Sequence, residues 1–245
     1  VPLGAEPADG HDDLIRVVRD QIGNGADLIK VYADYRWGLD GEARPTFTQD
    51  ELDLIVEITK SSGRKVVAHA ASEEGMHRAA MAGVNTIEHG DGGTKEVFML
   101  MKEKGVALCP TLAAGDAIMQ YRGWKKGAEP EPERIVTKKA SFSLALEEGV
   151  TIVAGGDVGV FSHGDNVREL EMMVEYGMDT KAVMKSVTSV NADVFGYGEK
   201  IGRIKVGLLA DLVVVAGNPL INISDLRKIE MVMKDGKIIQ PKSQR

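Results

Sequence analysis

Four ionisable residues lie within or at the carboxyl ends of short apolar runs in this chain: Lys30, His69, His89 and Asp157. In a parallel α/β fold, the carboxyl ends of the strands form the rim at which ligands bind. Four different predicted strands would each bring one of these groups to that rim. Two imidazoles, a carboxylate and a lysine suit a divalent metal with nitrogen and oxygen ligands. The pattern therefore predicts a metal site.

Each of these residues also has an ordinary structural interpretation. A histidine on a strand is more often a hydrogen-bonded core residue than a ligand. Lys30 could extend its ammonium to solvent or pair with a nearby aspartate, and Asp157 could cap the following helix. We favour the metal site because four such residues at the ends of consecutive predicted strands are difficult to explain as independent coincidences.

Two further residues are candidates for contact with a substrate. Tyr32 leads into the loop above the predicted rim, and His163 lies in the loop after Asp157. Cys109, beside Pro110, is interpreted as a small buried hydrophobe, because no environment that would lower its thiol pKa is evident. The glycine pairs of the chain lack the dinucleotide-binding pattern and the Walker lysine, which argues against a phosphate-binding loop.

The elements that must position these residues alternate between helical patterns and apolar runs. A threonine followed three residues later by a glutamate, Thr48 and Glu51, predicts a capping box at the start of one helix. Strands buried on both faces and joined by helices predict a parallel sheet, and right-handed crossovers close readily into a barrel. The five predicted strands are Ala26–Ala33, Lys65–Ala70, Asn85–Gly90, Val106–Thr111 and Thr151–Asp157.

The end of the chain has a different pattern. Residues 210–215 and 230–239 are predicted to form antiparallel strands, the second pair turning at Asp235–Gly236. We place a domain boundary near Ile201, which divides a barrel region, residues 1–200, from a small β region, residues 201–245. The fold class predicted is therefore α/β, with a partial barrel followed by short β segments.

The composition excludes several classes of partner. The net charge of −7 argues against a nucleic-acid groove or an anionic membrane surface. No apolar run approaches the roughly 18–20 residues of a membrane span. A single cysteine excludes an internal disulfide framework. The chain begins with Val1 and lacks a signal pattern, so we expect a processed, cut or incomplete start and a cytoplasmic location.

Five motifs, spread in order over nearly the whole chain, resemble those of a known family. They are GADLIKVYADYRWG, VVAHAAS, TIEHGD, GGDVGVFSHG and GLLADLVVVAGNPL. The chain resembles the amidohydrolase superfamily, and within it the imidazolonepropionase-related, prolidase-like branch of metal-dependent dipeptidases.

The resemblance implies a (β/α)8 TIM barrel flanked by a small β-sandwich, of which this chain would supply barrel strands four to eight and the C-terminal sandwich strands. It implies that Lys30 is carboxylated and bridges two metals, and that His69 and His89 are ligands. Asp157 would bind metal and transfer protons, and His163 would lie near the substrate. Zinc, as one or two ions, is the expected cofactor, and cobalt or manganese suits the same ligands.

The chain departs from the family pattern at one point. The His-x-His pair of the family's first strand is missing, and so are strands one to three. We infer that an N-terminal piece of roughly 150 residues is absent. That N-terminal segment is therefore an expected partner, and we also expect a homo-oligomer.

The function implied is metal-dependent hydrolysis of an amide or peptide bond in a small substrate such as an Xaa-Pro dipeptide, by metal-activated water. Three alternatives stay open. The chain could be a non-catalytic or incomplete half that needs an N-terminal partner, or a deaminase or lactamase of the same superfamily. It could also be a phosphate-binding barrel enzyme without metal. Lys30 argues mildly against a deaminase, because those enzymes mostly use one metal and lack a bridging lysine.

Overall fold

The computed structural model describes residues 4–239, in which helices and strands alternate along most of the chain. The strands are β1 (Leu28–Tyr32), β2 (Asp34–Arg36), β3 (Ala43–Pro45), β4 (Lys65–Ala70), β5 (Thr86–His89), β6 (Ala107–Cys109), β7 (Leu212–Val215), β8 (Ile229–Lys234) and β9 (Lys237–Ile239). The helices are α1 (Gly10–Gly23), α2 (Gln49–Ser61), α3 (Glu73–Ala82), α4 (Lys95–Lys104), α5 (Leu112–Tyr121), α6 (Glu133–Glu148), α7 (Val167–Glu175), α8 (Thr180–Lys185) and α9 (Asn191–Val194).

The described chain divides into two compact units. The first comprises residues 4–110 and 136–151, and the second comprises residues 111–135 and 152–239. Strands β1–β6, helices α1–α4 and most of α6 lie in the first unit. Helices α5 and α7–α9 lie in the second unit together with β7–β9. The boundary expected near Ile201 stays a prediction.

The first unit is built on a parallel sheet of four strands in the order β1-β4-β5-β6, which confirms the predicted α/β class. Helices α1, α2 and α3 contact this sheet. Val31, Ala68, Ile87 and Leu108 form one row across the strands, and all four are buried. The burial of this aliphatic row and of the helix faces packed against the sheet is the main source of the unit's stability.

The predicted start of α2 is confirmed. The Thr48 hydroxyl accepts a hydrogen bond from the Glu51 amide (3.3 Å), and the Glu51 carboxylate accepts one from the Thr48 amide (2.9 Å). These reciprocal bonds satisfy two amides that the first helical turn leaves without partners. The helix thus begins one residue after the predicted cap.

The prediction of a fifth strand over Thr151–Asp157 is wrong. Leu108 N still donates to the Thr151 carbonyl (2.8 Å), but only Ile152 within the segment has a strand-like bridge. The amide and carbonyl of Ala154 instead bind the side-chain amide of Asn191, at 3.0 and 2.9 Å. A side chain therefore takes the backbone groups that a neighbouring strand would otherwise use, and the following glycine pair disfavours an extended run.

Two segments contain structure that the sequence analysis did not predict. Residues 34–45, where no strand was predicted, hold the antiparallel hairpin β2–β3. Helix α5 follows the predicted strand directly, although Thr111, at its N-cap, has a left-handed backbone and no side-chain capping bond. The Glu169 carboxylate caps this helix instead, accepting hydrogen bonds from Leu112 N (2.9 Å) and Ala113 N (2.7 Å). Because the capping residue is far from α5 along the chain, no local sequence pattern predicts the start of this helix.

The second unit ends in an antiparallel sheet in the order β7-β8-β9, with the predicted turn at Asp235–Gly236. Its apolar residues are largely open to solvent: Val213, Ile229 and Ile238 are each more than half exposed. No helix within residues 4–239 combines the length and the apolar character that crossing a membrane requires. The cytoplasmic location stays a prediction.

Candidate active site

Two histidines from neighbouring strands lie against each other in the first unit. The ring centroids of His69 on β4 and His89 on β5 are 4.4 Å apart, with an angle of 69° between the ring planes. In the register of the two strands, His69 pairs with Glu88 and Ala70 pairs with His89. The imidazoles are therefore diagonal neighbours at the carboxyl ends of two parallel strands.

This contact depends on an unusual backbone at the end of β5. Because side chains alternate along a strand, His89 would point to the same face as Ile87, whereas His69 belongs to the face of Glu88. His89 instead has a φ of +78°, and Gly90 follows with a φ of +66°. This left-handed turn takes His89 out of the alternation, and its ring lies beside that of His69.

The environment of His89 favours the neutral imidazole. Burial, together with the smaller effects of the nearby positive charges of His69, Lys138 and Lys30, lowers the pKa of His89 from 6.5 to about 3, against the opposing effect of Asp91. At neutral pH the ring is therefore uncharged, which is the state in which a histidine nitrogen can bind a metal ion.

Lys30 and Tyr32 lie on the face of the sheet that carries His69. Lys30 is exposed and pairs in register with Val67, and Tyr32 pairs with His69. The Tyr32 ring centroid is 4.8 Å from that of His69. The first unit thus brings together three of the four predicted ligands and one predicted substrate contact. The roles assigned to these residues stay predictions.

Sequence reasoning missed Asp34, which is fully buried two residues beyond β1. Its carboxylate accepts hydrogen bonds from Ala71 N (2.9 Å), Ser72 N (2.6 Å) and the Ser72 hydroxyl (2.6 Å). One of its oxygens lies 3.6 Å from His69 Nε2, within ion-pair range although beyond a hydrogen bond. Its position directly after a buried strand, as for the other candidates, was the signal that could have identified it.

The other two predicted site residues lie in the second unit. Asp157 is exposed and has a φ of +58°, and His163 is exposed in the loop that follows. That loop is fastened at two points. The Arg168 guanidinium lies 5.5 Å from the centroid of the Phe161 ring, and Arg227 forms a 2.7 Å ion pair with Asp165.

The donor groups of the first unit fit a divalent metal in part. Over residues 4–239, no three His, Cys, Asp or Glu side chains gather closely enough to hold a metal ion. Lysine is outside that set, and a charged ammonium has no lone pair to offer. The two adjacent imidazoles can supply two nitrogen ligands when both are uncharged, and Lys30 can supply oxygen ligands only after a chemical change such as carboxylation.

Comparison with known proteins defines the class. The sequence profile described as "Amidohydrolase family" matches residues 3–239, and the chain belongs to this family. Among curated proteins, it is 30% identical to the ochratoxinase of Aspergillus niger over 253 aligned positions, which cover 97% of this chain and 52% of that protein. The chain thus spans about half the length of this curated relative.

Solved structures show the same relationship. An Xaa-Pro dipeptidase with methionine bound in its active site is 34% identical, with a TM-score of 0.85 over 97% of this chain and 62% of that one. A prolidase in complex with N-methylphosphonate-L-proline is 27% identical, with a TM-score of 0.81 over 97% of this chain and 60% of that one. The fold of the present chain is therefore that of the corresponding part of these enzymes.

Proposed function

We propose that this chain forms part of a metal-dependent hydrolase that cleaves an amide or peptide bond in a small substrate, with Xaa-Pro dipeptides as the first candidates. The observation that carries the proposal is the contact between two imidazoles, His69 and His89, at the carboxyl ends of adjacent parallel strands. Similarity to an Xaa-Pro dipeptidase and to a prolidase supports the substrate class.

The residues that would hold the metal are Lys30 in carboxylated form, His69, His89 and Asp157. Zinc is the proposed metal, as one or two ions, because imidazole nitrogens and carboxylate oxygens are among its common ligands. A bound divalent ion would polarise the scissile carbonyl and make water more acidic.

The chain's own side chains would manage the proton and the substrate. Asp157 would accept a proton from the attacking water and pass it to the departing amine, which is a poor leaving group until it is protonated. Tyr32 and His163 would bind the carbonyl oxygen or the substrate carboxylate by hydrogen bonding.

The proposal also concerns architecture and partners. Strands β1, β4, β5 and β6 would be successive strands of a partial TIM barrel, and β7–β9 would belong to a β-sandwich. An N-terminal segment of the same enzyme would complete both, and a homo-oligomer is the proposed assembly. The exposed apolar residues of β7–β9 support the proposal of a further segment or subunit, because apolar surfaces of this kind are ordinarily covered by another part of the protein.

The test is an assay of proline release from a series of Xaa-Pro dipeptides by the purified chain, alone and with the relatives' N-terminal half added as a separate chain, with zinc present and with the zinc removed by a chelator. We expect zinc-dependent release. A second candidate is an ochratoxin-type amide, favoured by the 30% identity to ochratoxinase over 97% of the chain.

Other outcomes of the same assay decide among the alternatives. Ammonia release from a cyclic C=N substrate would indicate a deaminase. Activity that survives the chelator would indicate chemistry without metal. Zinc binding without turnover of any amide, reversed by adding the relatives' N-terminal half as a separate chain, would indicate an incomplete enzyme.

A further inference from the structure

Helix α6 places two hydrogen-bond donors against the turn that follows β5. Lys138 is 4% exposed, and its ammonium donates to the His89 carbonyl (2.5 Å) and to an Asp91 carboxylate oxygen (2.6 Å). One helical turn later, the buried Ser141 hydroxyl donates to the Gly90 carbonyl (2.6 Å). Three consecutive residues of the turn, 89 to 91, are therefore held by one face of one helix.

The turn requires such support because its backbone is strained. His89 has a φ of +78°, a conformation in which a non-glycine residue is less stable by roughly 1–3 kcal/mol. The next residue has to be glycine for a separate reason. A Cβ at Gly90 would come within 2.6 Å of a Leu108 methyl group, and its φ is also left-handed. Without the hydrogen bonds from α6, the chain would lower its free energy by continuing β5 as an extended strand.

The burial of Lys138 points to the same turn. A buried ammonium is stable only when its donors are satisfied, and the hydrogen-bond acceptors of Lys138 both belong to residues 89–91. If the turn relaxed, the charge would lose its acceptors together. The lysine and the turn therefore stabilise each other, and the His89 ring is fixed as a result.

We propose that Lys138 and Ser141 are positioning residues that hold the His89–Gly90 turn in its left-handed conformation and thereby keep the His89 imidazole against His69. The consequence for metal binding rests on the proposed function. The consequence for the orientation of the ring does not, because it follows from the hydrogen bonds and the backbone alone.

The first test is Lys138→Met in the full chain, read by NMR as the proton contact between the His69 and His89 rings. We expect the contact to weaken or disappear while the circular dichroism of the folded chain persists. Lys104→Met, an exposed lysine on α4, is the control and should leave the contact unchanged. A destabilised chain with an intact ring contact would mean that Lys138 is merely structural and would overturn the proposal.

A milder variant tests the same proposal if Lys138→Met fails to fold. Ser141→Ala removes one hydrogen bond, and Ser143→Ala, two residues further along the same helix, is its matched control. We expect Ser141→Ala to weaken the ring contact and Ser143→Ala to leave it unchanged. Equal behaviour of the two serine variants would overturn the proposal.

Zinc affinity separates this proposal from the proposed function. If the parent chain binds zinc, Lys138→Met should raise the apparent Kd by about 10–100-fold, the usual effect of losing support behind a ligand. Lys138→Arg, which keeps a cationic donor, should restore part of the affinity. If the parent chain binds no zinc, the metal proposal fails, and the ring contact still decides whether α6 positions His89.

Discussion

His69 and His89 form a 4.4 Å ring contact across two parallel strands, although neither is the register partner of the other. Two imidazoles at this distance share one edge of the sheet, and their nitrogens are close enough together to bind the same metal ion. The left-handed backbone of His89 is what makes the diagonal contact. The chemistry of the site therefore depends on one local departure from regular strand geometry.

Removing either ring should remove zinc. His89→Ala is expected to lower zinc affinity by about 100-fold or more, because even the loss of a residue that supports a ligand commonly lowers affinity 10–100-fold. Metal content after dialysis against limiting zinc measures this. His77→Ala, an exposed histidine on α3, is the control. Similar zinc content in the two variants would show that His89 is not a ligand.

Acid should destabilise the chain partly through His89. Its folded pKa of about 3 lies below the unfolded value of 6.5, so between these pH values the unfolded state binds a proton that the folded state excludes. Stability from this source is complete above pH 6.5 and falls as the pH falls towards 3, by at most about 1.4 kcal/mol per pH unit. Urea unfolding of the parent and of His89→Gln at several pH values measures it, and the variant should have the shallower dependence. Parallel curves would contradict this assignment.

Two helical glycines should respond in opposite directions to alanine. Gly75 on α3 faces the buried Asp34, and a Cβ there would overlap the Asp34 carboxylate. We expect Gly75→Ala to lower the free energy of unfolding by about 1–3 kcal/mol. Gly115 on α5 has no atom within 4 Å of such a Cβ, and Gly115→Ala should stabilise by up to about 1 kcal/mol. Chemical denaturation compares the two variants. Equal changes in the free energy of unfolding would show that the Asp34 carboxylate does not limit the space for a side chain at position 75.

The proton-transfer role proposed for Asp157 predicts that its replacement will affect turnover much more than zinc binding. Asp157→Asn should retain most of the zinc and lose about 100-fold or more of the turnover, the usual contribution of a general base or acid. Steady-state kinetics beside metal analysis measures both. Asp40→Asn, in the exposed loop between β2 and β3, is the matched control. Turnover within about threefold of the parent would refute the role.

The cap of α5 gives a test within the second unit. Glu169 is 1% exposed, and its two oxygens accept the amides of Leu112 and Ala113. Glu169→Gln keeps the shape but can accept only one of these bonds, so we expect a loss of about 1–3 kcal/mol. Glu175 lies on α7, as Glu169 does, and its half-exposed carboxylate is 3.7 Å from the Lys126 ammonium. Glu175→Gln should therefore change the free energy of unfolding by less than about 1 kcal/mol. Thermal unfolding that ranks the two variants equally would contradict the capping role.

The parts of the fold that were predictable carry local signals. The capping box at Thr48, the glycine that ends α3 and the four apolar runs of the parallel sheet are each specified within a few residues. Helix α5 and the segment after Thr151 are specified by distant residues, Glu169 and Asn191. Periodicity cannot report a hydrogen bond whose partner lies tens of residues away.

The candidate site shows the same division. Lys30, His69 and His89 were identified because polar residues interrupt apolar runs at strand ends. Asp34 was missed as a site residue because its burial beside His69 depends on how the chain turns after β1. The support of His89 by α6 was also missed, since the positive φ of a histidine leaves no trace in composition or spacing.

The exposure of Lys30 has a chemical consequence. Lys30 is an exposed residue in this chain, so dissolved carbon dioxide reaches its side chain without any local unfolding. The carbamate proposed for this side chain forms from the uncharged amine with release of a proton, and it reverts when the gas is withdrawn. The bicarbonate content and degassing of the buffer would then set the fraction of chains in which Lys30 is carboxylated.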